Sequence, residues 1–363
     1  MNDILMIIMA AGALLGGFDR LRGNKWGYGD KFETGFMLLG SMGLSMAGMI
    51  CLSPVLAKAL GGVIVPLYRL IGVDPAMFGS LLAIDMGGYQ LAKELCEDPA
   101  IGSYAGLVVS AIFGCTVVFT IPVGMGMIPK DDRGYFARGI MLGLSAMPVG
   151  LVAGGLLSGI PLLSCLHQNI PVFLLALLLL VGLKISPGKM IKGFCILAEG
   201  IRWIVTIGLA LAAVESMTGF GILPGMAPIQ EAMSVVASIG VVMLGSLPAA
   251  ELLRRLLVRP FAWLGERLGM KPQSLTGMLV GLVSAMPTLS MYKDMDIRGK
   301  VAAGAFLVSG TSLLAAHMGF VISTEPELLG ALIAGKLSGA VAAVLLALCV
   351  QKPELDKASP SML

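Results

Sequence analysis

Ile84-Asp85-Met86-Gly87-Gly88-Tyr89-Gln90-Leu91-Ala92-Lys93-Glu94-Leu95 places a carboxylate and two consecutive glycines at the end of an apolar run that begins at Phe78. Each glycine lacks a Cβ and weakens a helix interior by roughly 1 kcal/mol relative to alanine. A carboxylate and a helix break inside an apolar segment are costly in lipid. They are expected only where backbone lines a cavity or lies against other protein. The stretch therefore reads as the centre of a transport site, and the rest of the chain is read against it.

The composition makes a membrane the relevant solvent. The 363 residues are 57% hydrophobic and 13% charged, and the mean hydropathy is +0.91. A soluble domain carries about 25% charged residues. The apolar runs are continuous rather than alternating, which excludes a β-barrel and predicts an all-α polytopic membrane protein. Gly (49) and Met (25) are abundant, as close helix packing in lipid requires. The net charge of +3 is small and the basic residues cluster in loops, so it signals membrane orientation and not nucleic-acid binding. The six cysteines have no metal-ligand spacing, and neither a metal nor a cofactor is expected. Asn2-Asp3 stands where a cleavable signal would carry basic residues, so the first segment is expected to stay as a span. No G-x-S-x-G, H-E-x-x-H or phosphate-loop signature occurs, and no enzyme activity is expected.

Laid end to end, the two halves repeat. Asp19 matches Glu215 at a separation of 196, Pro54 matches Pro248 and Pro66 matches Pro260 at 194. Gly72-x-x-Pro75 matches Gly269-x-x-Pro272, and Pro129 matches Pro326, both at 197. A rival match at 165, Pro122 with Pro287 and Asp131-x-Arg133-Gly134 with Asp296-x-Arg298-Gly299, covers one element and its loop and reads as shared turn chemistry. In the longer register Asp85-Met86-Gly87-Gly88 falls on Leu282-Val283-Ser284-Ala285, beside a second break at Pro287. Paired interrupted segments in corresponding positions of two halves point to a transporter binding site.

Basic residues stay cytoplasmic. The strongly basic loops, 19–33, 128–138, 184–193 and 251–271, with the C-terminal tail, fall on one side if both interrupted segments are re-entrant, entering and leaving by the same face. This predicts nine full spans and two re-entrant segments, with the N-terminus out and the C-terminus in. Residues 1–159 form a first repeat of four spans, 160–193 a linker span and basic loop, 194–350 an inverted second repeat, and 351–363 a disordered tail.

The candidate substrate-binding residues are Asp85, Met86, Gly87, Gly88 and Tyr89 on the first segment, and Ser284, Met286, Pro287 and Thr288 on the second. Asp85 supplies charge, with a hydrogen bond that ties the tip together as the alternative. The glycines free backbone, Tyr89 offers an aromatic face to a cation, and Ser284 and Thr288 offer hydroxyls. Small polar residues in membrane helices also serve packing. Pro122 and His317 are secondary candidates. Lys93 and Glu94 cap the first segment at the outer surface, Glu199 and Arg202 form a structural pair, and Lys336 snorkels or pairs.

Asp85-Met86-Gly87-Gly88 with Ala92-Lys93-Glu94-Leu95 resembles the bacterial ethanolamine utilisation transporter family (EutH). So do Phe119-Thr120-Ile121-Pro122-Val123, Pro287, Asp296-x-Arg298-Gly299-Lys300 and His317-x-Gly319-Phe320. The resemblance covers nearly the whole chain, with a shortened stretch between the halves and an abbreviated tail. It implies uptake of ethanolamine across the bacterial inner membrane by a facilitator or secondary permease. A protonated amine suits Asp85 as counter-ion, and its hydroxyl suits Ser284 or Thr288. The alternatives are an ion-coupled transporter of another small metabolite and a non-transporting scaffold or sensor. The expected partners are ethanolamine and the lipid bilayer; the residues leave coupling and a homo-oligomeric state open.

Overall fold

A computed structural model describes residues 2–81 and 88–350, and these contain helices and turns and no strand. Among the described residues eight helices are long and apolar enough to cross a membrane, and a bent pair, α8 (Leu162–Gln168) and α9 (Ile170–Ile185) at 52°, makes a ninth candidate. The protein is thus an all-helical multi-pass membrane protein. On α9 the side chains of Leu174, Leu177, Leu178 and Val181 point outward, as lipid contact demands.

The chain begins with α1 (Asn2–Leu21) and α2 (Tyr28–Leu70). A helix of 43 residues is about 64 Å long, twice the ~30 Å hydrocarbon thickness. The helix continues through Pro54 and Pro66. Two short helices follow, α3 (Ala76–Leu81) and α4 (Gly88–Leu95). The next span, Pro99–Met127, comprises α5 (Pro99–Tyr104), π-helical stretches Ala105–Gly114 and Thr116–Thr120, and α6 (Ile121–Met127). Then comes α7 (Arg133–Leu157), ahead of the bent pair.

The same order then recurs. It runs through α10 (Pro187–Thr218), the 40-residue α11 (Ile229–Leu268), two short helices α12 (Pro272–Gly281) and α13 (Ala285–Ser290), a broken span, and α16 (Leu329–Val350). The broken span consists of α14 (Ile297–Gly310), a π turn Leu313–His317 and α15 (Met318–Thr324).

Helix α2 packs on α11, α7 on α16, α10 on α2 and α1 on α11. The last two contacts are built alike. A Cβ on Gly48 of α2 would stand 1.9 Å from the Val205 carbonyl oxygen of α10; one on Gly245 of α11 would stand 2.0 Å from that of Met9 in α1. Only glycine allows either approach, and the two glycines are 197 residues apart. Gly72 (φ 66) and Gly269 (φ 67), likewise 197 apart, turn the chain out of the long helices into the broken pairs in the left-handed conformation.

Candidate functional site

Asp85, Met86 and Gly87 lie outside the described residues, as does the tail 351–363. The structure does place the limbs on either side of them. Gly79 of α3 lies against Ala92 of α4, where a Cβ would meet the Ala92 nitrogen at 2.5 Å. The two ends of this segment come together through Asp74, whose carboxylate accepts from the backbone N–H groups of Ala76 (2.8 Å), Glu97 (3.1 Å) and Asp98 (2.8 Å). Arg69 pairs with Glu97 beside it. A buried carboxylate that receives several N–H groups is satisfied by them, so Asp74 fixes the mouth of the segment.

The second segment is closed in the same manner by a different residue. Asp296, after α13, accepts from the Lys271 N–H (2.9 Å) and the Ser274 hydroxyl (2.6 Å) before and within α12. It also accepts from the Gly299 N–H (3.0 Å), capping α14. The two mouths lie at opposite ends of the span Pro99–Met127. Asp74 is bonded at Asp98, which caps its start. Beyond its other end stands Asp132, bonded to Lys300 at 2.6 Å, within the first turn of α14 that Asp296 caps.

The candidate residues of the second segment divide between packing and exposure. Thr288 is fully buried and its hydroxyl donates to the Gly277 carbonyl at 2.7 Å, hooking α13 to α12. Ser284 precedes α13 in extended conformation with no side-chain cap bond. Together with Met286 and Pro287 it lines a cleft of about 530 Å³ that Lys31, Glu251, Arg254 and Arg255 also border. Glu251 is bonded by Arg254 (2.7 and 2.8 Å) and by Arg255 (2.7 Å), and Arg255 stacks on Tyr28. Pro122 belongs to α6, which packs against α13.

Sequence reading misses a third interruption. Hydropathy runs smoothly from residue 297 to 324, yet Thr311 is extended and Ser312 is left-handed (φ 58). The available signal is the polar cluster Ser309-Gly310-Thr311-Ser312 inside an apolar run. The break is tolerated because it meets the break after α12. The Ser312 N–H donates to the Gly281 carbonyl (3.0 Å) and the Leu314 N–H to the Leu282 carbonyl (2.8 Å). Each interruption supplies the partners the other has lost.

His317 ends the π turn below this break and is fully buried. Its ring stands by the Thr311 backbone and the Lys336 ammonium, without a well-aligned hydrogen bond at either nitrogen. Lys336, also fully buried, does not snorkel. Its ammonium donates to the Ala111 carbonyl at 2.7 Å, inside the π-helical stretch of the span Pro99–Met127. π-Helical turns leave carbonyls off the regular ladder and recur at functional sites.

On the first segment Gly88 opens α4 and is buried. Tyr89 is buried edge-on against Phe320 at 5.5 Å, and its hydroxyl donates to Glu325 at 2.8 Å. Lys93 (3.0 Å) and the Ser103 hydroxyl (2.9 Å) bond the same Glu325 oxygen. Burial acts to raise the Glu325 carboxyl, but the bonds from Ser103, Tyr89 and Lys93 outweigh it and hold the group below the ordinary glutamate value. Glu325 is thus a site residue that no sequence motif marks; its partner Tyr89 is 236 residues away. Of the residues expected to cap the segment, Lys93 has Glu325 as its counter-charge and Glu94 is exposed. The expected Glu199–Arg202 pair is also present.

These features define a multi-pass helical membrane protein with paired broken helices and buried charge. Residues 1–350 match the family described as Ethanolamine utilisation protein, EutH, and the chain belongs to that family. It is 40% identical over 344 residues to a probable ethanolamine permease EutH of Listeria monocytogenes, covering 94% of this chain and 92% of the relative. It is 39% identical over 382 residues to the probable ethanolamine permease EutH of Escherichia coli, covering 94% of each. Similarity to the uncharacterized protein YxeR of Bacillus subtilis is 38% over 344 residues, covering 94% of this chain and 93% of the relative. No solved structure matches.

Proposed function

We propose that the chain is an inner-membrane permease that takes up ethanolamine and holds the protonated amine between two re-entrant broken helices. The observation that carries this reading is the pair of broken segments with their mouths closed at opposite ends of the span Pro99–Met127. Together with membership of a family whose relatives are named ethanolamine permeases, it supports transport over a scaffold or sensor role. Two inverted repeats, 1–159 and 194–350 joined by a linker at 160–193, account for the element order. They also account for the matched turns at Gly72 and Gly269 and the matched close approaches at Gly48 and Gly245. The pattern of basic loops supports an N-terminus outside and a C-terminus inside.

In this reading Asp85 is the counter-ion, with Met86, Gly87, Gly88 and Tyr89 around it. Ser284, Met286 and Pro287 line the approach from the basic face, and Thr288 braces α13. Uptake of labelled ethanolamine into proteoliposomes tests it. Saturable uptake is expected, lost in Asp85→Asn with folding intact. Undiminished uptake in a folded Asp85→Asn protein would remove Asp85 from the mechanism, and no flux under any proton or sodium gradient would remove transport. A competition panel of small amines sets the substrate range.

A further inference from the structure

The two broken segments are held differently on their returning limbs. Tyr89 of α4 and Met286 of α13 are 197 residues apart and so occupy equivalent places. Tyr89 is 7% exposed and bonded to Glu325, whereas Met286 is 50% exposed and faces the cleft. The next equivalent pair behaves likewise. Lys93 is bonded to Glu325, whereas Ser290 is exposed and donates to the Pro287 carbonyl one turn back. On the basic face Lys300 meets Asp132, but this bond joins α14 to the loop before α7 and leaves α13 aside. One limb is therefore bonded to the other half of the molecule through Glu325, whereas its counterpart packs on α6 of the other half and borders an open cleft of about 530 Å³.

We propose that Glu325 is the latch of an outer gate: with Tyr89, Lys93 and Ser103 it holds α4 against the second half and closes the extracytoplasmic path to the broken segment, while the cleft at Ser284, Met286 and Pro287 stands open to the basic face. The latch suits the task chemically. One carboxylate oxygen gathers an ammonium and two hydroxyls from two elements, so a single carboxylate displacement releases α4 and α5 together. Below it, the Tyr89 ring on Phe320 seals the path with apolar surface. The protein is then in its inward-facing form, and releasing the latch shifts the population toward the outward-facing one. This inference rests on the transport reading, but its test needs no substrate.

Two reporter cysteines read the two sides. Thr34→Cys lines the inner cleft, and Leu107→Cys is fully buried one turn inward of Ser103, in the same apolar cluster as Tyr89. Reconstituted protein of known orientation is treated with a membrane-impermeant maleimide from either side, and labelling is read peptide by peptide, so the native cysteines remain. With Glu325 intact, Thr34→Cys is expected to react from the basic side and Leu107→Cys to resist from the other. Adding Glu325→Gln is expected to raise the Leu107→Cys rate roughly tenfold and to lower the Thr34→Cys rate, because the two openings exclude each other. The exchange Lys93→Glu with Glu325→Lys is expected to restore the original pattern. A rise at Leu107 with no fall at Thr34 would mean local loosening and would overturn the gate, as would no change at either reporter. Should Glu325→Gln fail to fold, Lys93→Met with the same reporters separates the same outcomes. Loss of ethanolamine flux alongside a normal labelling response would overturn the substrate and leave the gate.

Discussion

The first broken segment, α3 with α4, is bonded to its surroundings at its mouth and by side chains of its returning limb; the second, α12 with α13, is bonded at its mouth, by the Thr288 hook and by backbone bonds from Ser312 and Leu314 at its break, and its returning limb borders a cleft. Asp74 and Asp296 do equivalent work at opposite ends of the span Pro99–Met127, each joining the entry of a segment to its exit. Beyond the mouths the likeness ends. α4 buries Tyr89 and commits it to Glu325, while α13 turns Met286 into a cleft and keeps Thr288 for the Gly277 carbonyl of its own segment. The two segments thus share a like frame at the mouth and differ in how their returning limbs are bonded.

The mouths offer the largest expected effect. Asp74→Ala strands three backbone N–H groups in a buried place and is expected to cost about 3 kcal/mol, measured as unfolding free energy in lipid or micelles. Asp296→Ala sits in a half-buried place where water replaces part of the loss, and about 1.5 kcal/mol is expected. Equal costs would break the comparison by making the two mouths energetically alike. Thr288→Val keeps the side-chain volume and removes the hook to Gly277, with an expected loss of about 1 kcal/mol, close to other hydrogen bonds in membrane interiors. Tyr89→Phe removes only the bond to Glu325 and is expected to cost roughly 0.6 kcal/mol, against no more than about 0.5 kcal/mol for Met286→Ala in the open cleft. A Met286→Ala cost above that of Tyr89→Phe would contradict the unequal fastening.

Acid supplies the smallest and most selective probe. The Glu325 carboxyl is held below its ordinary value, so it binds protons less readily in the folded protein than in the unfolded chain. Its stabilisation is therefore complete above the unfolded glutamate value and fades as pH falls through the lower folded one. The melting temperature of the protein minus that of Glu325→Gln should stay constant from neutral pH down to about pH 5 and shrink below it. A difference that grew on acidification would reverse the sign of the shift.

Much of the frame was legible in the chain because it depends on local composition. Continuous apolar runs mark the spans, and Gly and Pro at spacings of 194–197 mark the turns that recur in space at Gly72 and Gly269. The break beside Pro287 was visible for the same reason: proline removes a donor wherever it stands. The break at Ser312 was marked only by the polar cluster Ser309-Gly310-Thr311-Ser312, since a left-handed serine persists here through bonds to Gly281 and Leu282 at the end of α12. Lys336 shows the same limit. Its sequence neighbours suit a snorkelling lysine, and only the packing of α16 beside the π-helical stretch brings it to the Ala111 carbonyl.

By itself, then, the sequence determined the solvent, the order of spans, the positions of two interruptions and the pattern of basic loops. All of these follow from the energetics of single segments in lipid. Tertiary structure alone decided which polar groups meet: Asp74 with residues 97 and 98, Asp296 with residues 271 and 274, Glu325 with Tyr89, Lys93 and Ser103. A buried polar group must find a partner, but its own neighbourhood in the chain does not say which one. That choice is made by helices far apart in the chain, and here it ties α4 to Glu325 while Met286 of α13 faces a cleft.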